Sequence, residues 1–127
     1  TLDGDADFSE DLTLTAGTGN ITFTGAVGGT NDAGDILINS AGDVTASGAL
    51  SADTFTQGAG TGDTQFDGPV VLNGAGGLSV TTNTVTINNT IDTLTAGNGG
   101  TVTITNAGLL DIAPGGDMNL DGLFVQD

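Results

Sequence analysis

The chain has 127 residues with no Lys, Arg, His, Cys, Trp or Tyr, and fifteen Asp and one Glu give it a formal charge of −16. Without a single cation no surface patch can neutralise phosphates, which excludes nucleic acid as a partner and disfavours anionic sugars and lipid surfaces. The charged partners left are cations, and divalent metal would also relieve the self-repulsion.

Residues 1–10 are acidic and turn-like. In DGDAD (residues 3–7) the carboxylates of Asp3, Asp5 and Asp7 alternate, so an extended chain carries all three on one side. Converging in a loop, with Glu10 and Asp11 close by, they are a candidate calcium site, since calcium takes six to eight oxygens. The spacing is not that of an EF-hand: the Gly and Glu which that loop needs are missing. The plainer reading is a solvated acidic end.

From residue 12 onward a period of two dominates. LTLT (12–15), ITFT (21–24), TVTI (84–87) and TVTIT (101–105) alternate apolar residues with threonine, as half-buried strands do. Leu12, Leu14, Ile21 and Phe23 are expected inward, with Thr13, Thr15, Thr22 and Thr24 outward. No window shows a helical stripe, and 23 glycines recur too often for long helices. The class is all-β.

The strands also echo one another. AGTGNITFTG (16–25), SAGDVTASG (40–48), GAGTGDTQFDG (58–68), TTNTVTINN (81–89), GNGGTVTITN (97–106) and PGGDMNLDG (114–122) each pair a glycine-rich corner with a short strand. Taking Asn20, Asp43, Asp63, Asn83, Gly100 and Asp117 as equivalent gives steps of 23, 20, 20, 17 and 17 residues. A second strand precedes most corners (12–15, 36–39, 54–57, 78–81, 93–96, 109–113), and short pieces such as ALSA (49–52) and PVVLN (69–73) fill the remainder. Two or three short faces per coil describe a parallel β-solenoid (β-helix). About six coils are expected, on the order of 30 Å of stack at the usual strand spacing. One coil buries too little apolar surface to offset the ordering of its backbone, so stacking must supply the rest. An antiparallel β-sandwich is the alternative; its strands run longer, and the echo would have no explanation in it.

The phrases LTLTAGTGNITFTGAVGG, INSAGDVTASGALSA and VTITNAGLLDIAPGGDMNLDG resemble the β-strand-repeat segments of giant bacterial surface proteins, within the broader family of filamentous-haemagglutinin-like adhesins. The resemblance covers nearly the whole chain and is weakest over residues 1–10. It implies a right-handed parallel β-helix, secretion to the cell surface, a role as shaft or filament, and no catalytic residues in the repeats. Many relatives carry basic residues and this chain has none, which leaves the binding partner open.

Other sites weigh less. No GxGxxG occurs and a Walker loop is impossible without Lys, so the glycines are corners. Asp63 with Asp67, or Asp117 with Asp121, could present paired carboxylates as β-helix glycosidases do, but aromatics other than Phe are absent and Asp beside Gly is ordinary turn chemistry. The protein is therefore expected not to be an enzyme, with no cofactor other than calcium. The threonine pairs 13/15, 22/24, 54/56, 84/86, 93/95 and 101/103 suggest an ice-binding array, yet they fall on more than one strand per coil, and Thr is a good outward strand residue in any case.

The chain opens in a loop and closes after DGLFVQ without a capping helix, and it has no apolar run of membrane-spanning length. An uncapped solenoid is a template for further pairing. Residues 1–127 are thus expected to be one solenoid segment, an excerpt or unit of a longer fibre, with Leu123, Phe124 and Val125 covered by the next coil or subunit. The expected function is structural: an extracellular bacterial fibre or adhesin shaft whose partners are copies of itself or neighbouring repeats, divalent cations, or host and cell-surface glycans. The alternative is a binding module, for sugar through calcium or for ice through a threonine face.

Overall fold

A computed structural model describes residues 1–93 and 97–127. Among these the chain forms short strands and no helix: β1 (Leu12–Thr15), β2 (Ile21–Phe23), β3 (Ala33–Ser40), β4 (Val44–Ala46), β5 (Leu50–Gln57), β6 (Asp63–Phe66), β7 (Val70–Leu72), β8 (Leu78–Thr82), β9 (Thr84–Ile87), β10 (Ile91–Asp92), β11 (Val102–Asn106), β12 (Leu110–Ile112), β13 (Met118–Asn119) and β14 (Phe124–Gln126). Every strand pairing is parallel, and every partner lies one turn away in sequence, so the chain is a parallel β-solenoid.

Three walls make up each turn. Up wall one the partners are Leu12, Ile36, Phe55, Leu78, Val102 and Phe124, which stand 24, 19, 23, 24 and 22 positions apart. Wall two stacks β2, β4, β6, β9 and β12. Wall three runs from Leu2 through Val27 and Leu50 to β7, β10 and β13. β5 turns a corner: Leu50–Ala52 pair with β7, and Phe55–Gln57 pair with β8.

Alternation fixes which side chains enter the coil. Ile36, Phe55, Leu78 and Val102 are fully buried in one column, and Val44, Val85, Phe66 and Ile87 line the facing wall. Phe55 and Phe66 meet across the interior edge to face, ring centroids 5.6 Å apart and planes at 77°, an arrangement aromatic pairs favour. In the lowest turn Leu12, Leu14, Ile21 and Phe23 pack against the core, while Thr13, Thr15, Thr22 and Thr24 are exposed, as the alternation requires.

The stack makes about five turns, with six rungs up wall one. One detail of the sequence reading needs correction. Asn20, Asp43, Asp63 and Asn83 do lead into wall two, but Gly100 leads into β11 on wall one and Asp117 into β13 on wall three. All three are glycine- or Asx-marked corners, so corner chemistry alone does not say which wall follows. The fragments 49–52 and 69–73 are the third wall itself. Thr95, and the residues 93–96 read as a strand, lie partly outside the described residues.

Candidate functional site

Carboxylates gather along the corners, and most of them are engaged with the neighbouring turn. Asn20 Oδ1 accepts the N–H of Asp43 at 2.9 Å, and Asp43 Oδ1 accepts the N–H of Asp63 at the same distance. Asp11 does likewise for the N–H of Asp35 at 2.8 Å. In these columns the residue before the upper Asp is glycine (Gly42, Gly62, Gly34), and a Cβ there would strike the lower side chain. A Gly-Asp dipeptide thus supplies both the room and the N–H for the acid beneath it. Further out, Asp63 accepts the Thr84 hydroxyl at 2.9 Å, and Asp67 accepts the Asn88 amide at 2.7 Å.

The N-terminal acidic loop follows the same rule. The Asp3 carboxylate accepts the N–H groups of Thr30 and Asn31 at 3.0–3.1 Å. The Thr30 N–H and then the Asn31 N–H hold its carboxyl below the usual carboxylate range. Asp7 accepts the N–H of Asp32 at 3.0 Å. Between Asp7 and Ser9 sits Phe8, exposed and at φ +58°, the left-handed region that a bulky side chain seldom adopts.

Asp3, Asp5 and Asp7, which the sequence offers as a calcium set, are therefore placed differently from one another: Asp3 and Asp7 bind separate N–H groups of the turn above, and Asp5 shares in neither. Among the described residues no group of three or more acidic side chains is arranged to hold a metal ion. A cavity of about 100 Å³ opens beside the loop, with Leu2, Leu12 and Ala33 in its lining together with Asp3, Glu10 and Asp11.

Asp63 opens β6 and Asp67 follows its end, and they are engaged separately, Asp63 with the Thr84 hydroxyl and Asp67 with the side-chain amides of Gln65 and Asn88. Asp121 accepts the N–H of Gly99 at 2.6 Å, and Asp117 is exposed. The threonine pairs are divided between walls. The outward column of wall one reads Thr13, Leu37, Thr56, Ser79, Thr103, Val125, so apolar residues interrupt the hydroxyls at two levels.

At the upper end, Leu123, Phe124 and Val125 are 71%, 43% and 37% exposed. Register separates them: Phe124 continues the buried column of Val102, whereas Val125 continues the outward column of Thr103. Leu109 and Ile112 are exposed at the same end.

A buried polar pair was not foreseen from the sequence. Gln57 is fully buried on wall one, and its Oε1 accepts the hydroxyl of the equally buried Thr64 at 2.8 Å. Its Nε2 has no hydrogen-bond partner among the described residues. The position of Gln57 in TFTQ, in phase with Phe55, was the signal available.

No family model, no curated protein and no solved structure matches the chain. Among the described residues no helix is long and apolar enough to cross a membrane.

Proposed function

We propose that this chain is a non-catalytic structural segment of a bacterial extracellular fibre or giant surface adhesin, continuing as a longer solenoid or stacking end to end on its copies. The observation behind the reading is that one parallel ladder runs from turn to turn through the chain, with Leu12, Ile36, Phe55, Leu78 and Val102 stacked in a single core column. Stacked repeats of this kind build quasi-one-dimensional bodies suited to a shaft. The resemblance of the repeated phrases to adhesin β-strand repeats supports the same conclusion and is the ground for placing the protein outside the cell. The parallel ladders would carry the shaft, and the acidic corners would keep it soluble or bridge it to divalent cations and surface glycans.

Electron microscopy and ultracentrifugation test the proposal together. Filaments one coil wide, or association that grows with concentration and is lost in Phe124→Asp, are the expected results. A dispersed monomer at all concentrations, with and without calcium, would count against assembly. Calcium titration by calorimetry tests the cation, with no heat as the negative result.

A further inference from the structure

Two Asn-Gly dipeptides stack one turn apart on the corner that leads from wall three into wall one. Asn73-Gly74 lies between β7 and β8, and Asn98-Gly99 lies between β10 and β11. The Asn98 amide donates to the Asn73 C=O at 2.6 Å. In either pair the glycine nitrogen could close on the asparagine side-chain carbonyl, since glycine brings no Cβ to hinder the approach. The surroundings of the two pairs are opposite.

At the lower pair every group is tied down. Gly74 is buried, its N–H donates to the Asp53 C=O at 2.7 Å, and a Cβ there would strike Asp53. The Asn73 amide donates to Asp32 Oδ2, two turns below, at 3.0 Å. At the upper pair Gly97, Asn98 and Gly99 are exposed, and a Cβ on either glycine would meet nothing within 4 Å. The Gly99 N–H donates to Asp121 Oδ2 at 2.6 Å. A carboxylate can take that proton outright, which a backbone carbonyl such as that of Asp53 does not.

We propose that Asn98 is a self-modification site at which the chain converts its own amide to an acid, with Asp121 as the general base. The Gly99 nitrogen attacks Asn98 Cγ and gives up its proton to Asp121. A C–N bond forms, closing a five-membered imide. The bond from Cγ to the amide nitrogen breaks, and that nitrogen leaves as ammonia with the proton that Asp121 returns. Water then opens the imide at either carbonyl, leaving aspartate or isoaspartate. Water is the one co-reactant, and nothing is oxidised or reduced. The product loses the amide that Asn98 donates to Asn73, and it adds a negative charge beside Asp121 on a chain of −16 with no cation. The corner at residues 97–100 therefore loosens with age while the corner beneath it holds. This inference does not rest on the shaft reading and stands or falls apart from it.

The test ages the full chain at neutral pH, folded and in urea, and follows both asparagines by pepsin digestion and mass spectrometry, with chromatography to separate isoaspartate. Folding should speed conversion at Asn98 and slow it at Asn73. Asp121→Ser keeps an oxygen at the corner without a base, and should slow Asn98 by about a hundredfold, the lower end of what a positioned base supplies. Asn73 staying slow in that variant shows the corner still folded; were Asn73 to speed up, the comparison of the unaltered chain with and without urea decides by itself. Conversion at Asn98 no faster in the folded chain than in urea would overturn the proposal, as would an undiminished rate in a folded Asp121→Ser.

Discussion

The Asp43 carboxylate accepts the backbone N–H of Asp63 across the gap between two turns, at 2.9 Å. One turn below, Asn20 does the same for Asp43, and its amide also donates to Asp43 Oδ2 at 3.0 Å. The job therefore needs an acceptor oxygen more than a charge. It also needs Gly62, where a Cβ would strike Asp43 Oδ1. Gly62→Ala is expected to cost about 2–4 kcal/mol, as overpacking against fixed neighbours does. Asp43→Asn should cost about 1 kcal/mol, since the amide oxygen can accept the same N–H and only the exposed bond from the Asn20 amide is lost. Urea unfolding of the two variants checks the order; the reverse order would refute the account.

Asp3 gives the acid response a place and a sign. Its carboxyl is held low by the N–H groups of Thr30 and Asn31. A group depressed in the folded state contributes stability above its unfolded pKa, lost as pH falls through the folded value. Below the usual aspartate range the turn at residues 28–32 should loosen before the core does, because Asp3 is exposed and its partners are local. Amide exchange at Thr30 and Asn31 followed against pH reads this directly. In Asp3→Asn the step should vanish.

Gln57 and Thr64 form a polar pair inside a coil that is otherwise apolar at their level. Gln57 stacks between Ile38 and Val80, and Thr64 between Val44 and Val85. Replacing both, as Gln57→Leu with Thr64→Val, matches each residue to its column and removes the Nε2 that lacks a partner. The double variant should gain about 1–2 kcal/mol, whereas Gln57→Leu alone gains less, because the Thr64 hydroxyl then loses its acceptor. Thermal melts of the single and double variants measure the coupling.

Phe66 meets Phe55 in the middle of the stack, above the small Ala46 of the same column. Phe66→Ala is expected to cost about 3–5 kcal/mol, transfer and cavity together. A central turn holds the two halves of a solenoid to each other. Hydrogen exchange should therefore show protection lost on both sides of β6, and loss confined to β6 alone would contradict the picture.

Strand parity was legible because each strand has one buried side, so LTLT and ITFT state which residues enter the coil. The period was legible because Asn20, Asp43 and Asp63 fall one turn apart and bond to each other. What failed was phase. Gly100 and Asp117 open strands on different walls yet look like Asp43, since a tight corner asks for the same small or Asx residues wherever it stands. The acidic loop shows the limit of alternation as a guide to placement. Alternation puts Asp3, Asp5 and Asp7 on one side only if the segment is extended, and the N–H groups of residues 30–32 instead draw Asp3 and Asp7 to different places. Gln57 was missed as a buried residue because composition treats glutamine as surface, although its phase with Phe55 in β5 pointed inward.

The parallel ladders have one more consequence, for a shaft under load. Their hydrogen bonds point along the stacking axis, so tension between the ends pulls each rung away from the next instead of shearing strands past each other. The turns would peel off singly, each releasing 19–24 residues as set by wall one, or about 60–85 Å of slack at full extension. Such a rod yields in small, evenly sized steps, and it lengthens many times over before its last turn opens.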